Sequence, residues 1–259
     1  MLLGAGPVHT MALEDHGKRV GLTVVIPVRN EGGDFRLTYT ELIKFIPEKT
    51  MIAVVYDTDD DTTIPILRAL AAKDPRLIPV RNRLGPGIPN ALRTGFEVAE
   101  TGPVLVMMGD LSDDLKVISE MLLRYGQGAQ VVCPSRYMPG GVQVGGALVK
   151  KTLSRLAGLS LYWMGCLPVR DATNNFRLYD AQFLKSVRIE STHGFEVALE
   201  LTVKAVKAGL KVVEIPTVWR DRTWGQSNFR LFRSLPHYLK WWFRSVGGRW
   251  PWARTDRIA

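Results

Sequence analysis

Apolar positions along this chain fall into short unbroken runs, and stretches of helical spacing lie between them. Residues 22–28, LTVVIPV, form a continuous run rich in β-branched residues that ends at Pro27 and the polar RNEGG. A run apolar on both faces predicts an interior strand of a parallel sheet. Residues 51–56, MIAVVY, and 103–108, PVLVMM, read the same way, and 76–82 and 129–135 predict two more strands. Between them, Leu37, Leu42, Ile43 and Phe45 mark a helix over 36–45. Further helices are predicted over 64–72, 90–100 and 115–126, the last with Gly126 at its C-terminal end. Strand and helix alternate, so the expected fold is α/β, a mainly parallel sheet flanked by helices.

The pattern changes near residue 145. Residues 145–168 are apolar around much of a helix and basic at its start; 171–180, DATNNFRLYD, read as a loop. Residues 193–216 then give a helix and one more strand. From Arg220 onward the chain is basic and aromatic. Ser234 is the expected N-cap of a C-terminal amphipathic helix, with Pro236 in its first turn and Leu235, Leu239, Trp242 and Val246 on one face. The expected division is a leader over 1–20 (Met11 being an alternative start), one domain over 21–227, and a basic aromatic extension over 228–259, whose helix either packs on the core, the default for such a helix, or lies at a membrane interface.

Charge narrows the partners. The chain of 259 residues carries a formal charge of +9 and a pI near 9.7, which favours anionic ligands. Nucleic acid is not expected, because the strand ends are acidic and would repel a phosphate backbone. Cys133 and Cys166 lack metal-ligand spacing, so a reducing, cytoplasmic setting is expected. No apolar run reaches the roughly 20 residues that span a bilayer, and residues 1–20 lack a signal-peptide core.

In parallel α/β sheets, ligands bind beyond the C-terminal strand ends. Two acidic clusters fall there, YDTDDDTT at 56–63 and MMGDLSDD at 107–114. Asp57 directly follows its strand and faces either a nucleobase or ribose, or only a turn. Gly85 and Gly87 precede a helix start, where backbone can approach a phosphate. Asp110 is the better metal candidate, with Ser112 and Asp113 as helpers, because Mg²⁺ or Mn²⁺ needs only one or two protein carboxylates beside a diphosphate. Arg136, Arg220 and Arg222 suit phosphate oxygens, although the last two also read as surface arginines on a hairpin.

Taken in order, VVIPVRNE, YDTDDDTT, MMGDLSDD, PSRYMPGG, DATNNFRLYD, HGFEVALEL and EIPTVWRDRTWGQSNF resemble the family 2 glycosyltransferases of GT-A fold. The dolichyl- and polyprenyl-phosphate mannosyltransferase-like branch is the most similar. The resemblance implies that Pro27, Arg29, Glu31, Asp57 and Gly87 cradle a nucleotide sugar, and that the Asp110 element binds metal and diphosphate. It implies an inverting transfer in which Arg136 steadies the leaving diphosphate. Lys150, Lys151, Arg222 and Ser227 would hold a polyprenyl phosphate at the cytoplasmic face of the membrane. GDP-mannose is the suggested donor, and a UDP-hexose stays open. A saccharide hydroxyl as acceptor would instead need a base, Asp171 with Glu196 behind it. The chain departs from the family pattern at Met108, where the first acid of a D-x-D is usual, and at Tyr56, Asn174, Asn175 and Asn228. Met108 leaves a catalytically weakened nucleotide-sugar-binding relative as a further alternative.

Overall fold

The computed structural model describes residues 14–15, 18–19, 21–146, 148–221 and 231–247. A two-residue ribbon, β1 (Glu14–Asp15) against β2 (Lys18–Arg19), precedes the main body. The elements then run β3 (Thr23–Val28), α1 (Asp34–Leu42), β4 (Met51–Tyr56), α2 (Ile64–Ala71), β5 (Leu77–Arg81), α3 (Ile88–Val98) and β6 (Pro103–Val106). A 3₁₀ turn, Leu115–Val117, leads into α4 (Ile118–Gly126). After it come β7 (Val131–Ser135), β8 (Val142–Val144), α5 (Leu148–Trp163), β9 (Arg177–Asp180), α6 (Ala181–Ser186), α7 (Val197–Lys207), β10 (Val212–Pro216), β11 (Val218–Arg220) and α8 (Leu231–Val246).

Seven strands form one sheet in the order β10-β7-β9-β6-β3-β4-β5. All neighbours are parallel except β9, which runs antiparallel between β6 and β7. The β-branched runs of β3 and β4 are buried on both faces, as an interior strand requires. One face packs on α1, α2 and α4 through residues such as Phe35, Leu67 and Ile118. The other packs on α3, α6 and α7 and takes in Leu161 of α5 and Trp241 of α8. Gly95 lets α3 lie directly on the sheet, since a Cβ there would sit 2.3 Å from Val25 Cγ1.

Three sequence expectations are corrected. Residues 171–180 are not all loop: Arg177–Asp180 is the antiparallel strand β9 in the middle of the sheet. It has only four residues and opens on a buried arginine, so no apolar run announces it. The fourth strand stops at Val106, which frees Met107 and Met108 for the turn beyond it. Ser234 and Pro236 lie within α8, which is helical from Leu231, rather than at its start.

The expected boundary at 227/228 falls outside the described residues. The helix beyond it packs against the body, with Trp241 only 2% exposed. Most of the 1–20 leader, and Arg222 and Ser227, also lie outside the described residues, as does the side chain of Lys150.

Candidate active site

The C-terminal ends of β3 and β4 are stitched into one ledge. Asn30, in a left-handed conformation with φ 56°, donates its N–H to Asp61 Oδ2 (3.0 Å), and the Glu31 N–H reaches Thr63 Oγ1 (3.0 Å). Asp57 accepts from Asn82 Nδ2 (2.7 Å) and from the Gly87 N–H (3.0 Å). The four residues Pro27, Arg29, Glu31 and Asp57 therefore follow or end two adjacent strands. Gly87, at φ 116°, opens α3 beside them.

Beyond β6 the chain turns sharply through Leu111, whose φ of 55° is the left-handed conformation an L-residue rarely adopts. Asp110 Oδ1 stabilises the turn by accepting from Ser112 N–H (3.2 Å) and Oγ (2.7 Å). A Cβ on Gly109 would meet Val28 Cγ1 at 3.3 Å and Glu31 Cγ at 3.5 Å, and Thr38 Oγ1 donates to the Gly109 carbonyl at 2.7 Å, so this turn lies close against the β3 end. The Asp113 carboxyl is pushed up to about 8, first by burial and then by the charge of Asp110, against the opposing pull of Arg136 and the Met108 backbone. Two carboxylates that resist sharing negative charge, facing a cavity, offer hard oxygen donors to a divalent cation. Among the described residues no group of three or more His, Cys, Asp or Glu is placed to hold a metal ion. Asp110 and Asp113 alone would leave most of the ligands of a divalent ion to other groups.

Arg136 follows β7 and is gripped by Asp171. Its Nε lies 2.6 Å from Oδ2 and its Nη2 2.9 Å from Oδ1, and its own N–H also donates to Oδ2 at 3.1 Å. Asp171 is fully buried, and although burial alone would raise its carboxyl, Arg136 holds it below the ordinary range. Asp171 also accepts the Thr173 and Asn174 N–H groups (3.3 and 3.2 Å). Its oxygens are thus committed inside the protein. Glu196, also buried, takes the His193 N–H on Oε1 (2.9 Å), while Oε2 has no hydrogen-bond partner among the described residues.

These pieces converge on a cavity of about 380 Å³. Asp110, Ser112, Asp113 and Met108 line one side; Arg136, Lys151, Ser154 and Thr173 line another. Asn174, Asn175 and Trp219 continue the wall, to which α8 adds Leu235 and Tyr238. Met108 also packs against the core, so the thioether fills the place expected for an acid with apolar bulk. Lys151 donates to the Gln143 carbonyl at 3.3 Å.

Sequence reasoning passed over two residues that shape this wall. Arg177 is fully buried and donates to the carbonyls of Asn174 (2.7 Å), Asp171 (2.6 Å) and Ala198 (3.2 Å) and to the Thr202 hydroxyl, tying the 171–174 loop to α7. Its signal was its place at the end of TNNFR. Tyr238 had no local signal, because it enters the cavity only through the packing of α8.

The model of glycosyl transferase family 2 matches residues 23–188. The polyprenol monophosphomannose synthase of Mycolicibacterium smegmatis is 28% identical over 210 residues, covering 79% of this chain and 79% of that protein. The undecaprenyl-phosphate mannosyltransferase of Micrococcus luteus is 28% identical over 207 residues, covering 78% and 85%. Among solved structures, a UDP complex of glucosyl-3-phosphoglycerate synthase from Mycobacterium tuberculosis is alike in fold, with TM-score 0.64 at 18% identity and coverage of 88% and 80%. The matched span runs from β3 through α6 and carries the acidic turn, Arg136 and Asp171. The chain belongs to glycosyl transferase family 2.

Proposed function

We propose that the protein transfers a hexose from a nucleotide sugar to a polyprenyl phosphate at a membrane surface. The observation that carries this reading is the cavity. It gathers Asp110 and Asp113, Arg136 and Lys151 at one place, next to two helices that expose large apolar side chains. The two mannosyltransferases named above make a polyprenyl phosphate the natural acceptor class.

The β3–β4 ledge, with Pro27, Arg29, Glu31, Asp57 and Gly87, would take the nucleotide. Asp110 and Asp113, helped by Ser112, would hold Mg²⁺ or Mn²⁺, which when bound supplies Lewis-acid stabilisation to a departing diphosphate. Arg136 presents a fixed positive charge into the same cavity, and its fork with Asp171 keeps it oriented without reorganisation during the reaction. Lys151, with Lys150, Arg222 and Ser227, would receive the acceptor phosphate.

A phosphate acceptor arrives already ionised and asks for no strong base. That agrees with Asp171, the expected base for a hydroxyl acceptor, being spent on Arg136. Asp171 is better read as a positioning group.

Membrane seating is supported by the surface of α5 and α8. Leu148, Val149, Leu156 and Trp163 of α5 are 76, 61, 54 and 72% exposed, and Phe243 of α8 is 63% exposed. Neither helix contains an acidic residue, so the charged side chains the two helices carry are all cations. Among the described residues no helix is long and apolar enough to cross a membrane.

The test is a transfer assay offering labelled GDP-mannose, UDP-glucose and UDP-N-acetylglucosamine in turn, with Mg²⁺ or Mn²⁺, with and without polyprenyl phosphate. Label entering lipid only when the lipid phosphate is present is expected. Donor binding with no lipid product from any donor would overturn the acceptor assignment.

A further inference from the structure

Helix α8 contributes to the cavity wall, and two of its cations pair with one acid of the body. Leu235 and Tyr238 line the cavity from α8. Near its other end, Arg244 Nη1 lies 2.7 Å from Glu190 Oε2, and Lys240 Nζ lies 3.7 Å from the same oxygen. Lys204 of α7 takes Glu190 Oε1 at 3.1 Å. Three cations thus share a single glutamate in the loop before α7. Beneath them Trp241 is buried, with Lys204, Lys240 and Arg244 at 5.1, 5.4 and 4.8 Å from its ring centroid.

The same helix carries Leu235, Leu239 and Phe243 as an exposed apolar stripe at i, i+4 spacing. Lys240 and Arg244 directly follow Leu239 and Phe243, so they flank that stripe. If the stripe rests on a bilayer, these two cations reach headgroup level, where lipid phosphates compete with Glu190 for them. Exposed ion pairs are weak enough for that exchange.

We propose that α8 is a cover over the acceptor end of the cavity, latched by Glu190 and released by anionic lipid headgroups. The inference rests on the membrane reading above and adds its regulation. Trp241, anchored in the core, and Trp242, whose Nε1 donates to Ser160 Oγ at 2.9 Å, form the pivot. Moving Arg244 away from Glu190 tilts the helix about that pivot and shifts Leu235 and Tyr238 at its far end. An acceptor then enters from the bilayer only when the protein is seated on it.

The experiment uses the full chain and a short, water-soluble polyprenyl phosphate, so that the acceptor does not itself require a membrane. The acceptor KM and hydrogen exchange of residues 231–247 are measured in buffer, with phosphatidylcholine vesicles, with vesicles containing phosphatidylglycerol, and with inorganic phosphate. For the wild type, only the anionic vesicles should lower KM, by about two- to five-fold, the scale of one exposed ion pair, and speed exchange in α8.

Glu190→Gln should show the lowered KM and faster exchange already in buffer. Arg244→Gln, which removes the same pair from the other side, should reproduce that result and respond less to the vesicles. Wild-type values for both variants in buffer would overturn the latch, as would an equal response to inorganic phosphate. Co-sedimentation separates the two readings. If the wild type fails to bind anionic vesicles, the membrane reading falls, while the variants' KM in buffer still decides whether Glu190 restrains the cover.

Discussion

Arg136 and Asp171 meet as a fork, Nε to Oδ2 at 2.6 Å and Nη2 to Oδ1 at 2.9 Å, and the Arg136 backbone N–H closes on the same carboxylate at 3.1 Å. Asp171 is fully buried, whereas Arg136 reaches the cavity wall. One partner is therefore internal support and the other faces the cavity. Bidentate pairing fixes the guanidinium plane as well as its position, which a lone lysine could not do.

Removing the support should cost stability as well as turnover. Asp171→Ala leaves a buried guanidinium without its counter-ion, a loss of about 3–5 kcal/mol for a buried pair broken from one side. Urea unfolding and transfer kinetics on the same preparation check this. A base would behave differently: turnover would vanish while stability stayed close to wild type. That second pattern would return Asp171 to the role of proton acceptor.

The seat of α5 depends on a missing side chain. A Cβ on Gly158 would lie 2.1 Å from the Arg170 carbonyl oxygen, and backbone cannot yield as a flexible side chain can. Arg170 is itself fixed through Glu214, which accepts the Arg170 N–H at 2.5 Å and Nη1 at 2.9 Å. Gly158→Ala should therefore destabilise the protein by about 1–3 kcal/mol, the usual range for overpacking. It should also raise the acceptor KM more than the donor KM, because α5 carries Lys151. A variant as stable as wild type would mean that α5 can lift away without loss.

The parts of the fold written as long apolar runs were legible from the chain: β3, β4 and the helix between them follow from periodicity alone. β9 was not, because its place is set by pairing on both sides rather than by its own four residues. The candidate site divides in the same way. Asp110 and Arg136 could be found because each sits just past a strand. The commitment of Asp171 to Arg136 is a contact across 35 positions, and no local pattern encodes it. Tyr238 and Glu190 matter only once α8 has folded back over the body.

Met108 poses a chemical question that substitution can answer. It lines the cavity beside Asp110, Ser112 and Asp113, and its thioether is a poor ligand for a hard cation. Met108→Asp would add a third carboxylate to that wall. Binding of Mn²⁺ by calorimetry, with nucleoside diphosphate present, should tighten in the variant and weaken strongly in Asp110→Asn. If Met108→Asp has no effect on the ion while Asp110→Asn does, the ion sits on the far side of Asp110, away from residue 108. Unchanged binding in both variants would remove this turn from the metal site.

Acid should release α8 by a route that can be followed without substrate. The Glu190 carboxyl is held down at about 2, first by the hydrogen bond from Arg244 and then by that from Lys204. A glutamate depressed in the folded protein stabilises it above its ordinary value of 4.5 and loses that contribution as pH falls toward 2. The stability gap between wild type and Glu190→Gln should therefore be level from roughly pH 5 to 8 and narrow steadily below about 4.5. The Glu190 side chain is 36% exposed, so solvent screening limits the gap to about 1 kcal/mol or less, and added salt should shrink it further. Denaturant unfolding at pH 7, 4 and 3 measures it. A gap that persists undiminished at pH 3 would show that Glu190 acts through packing rather than charge.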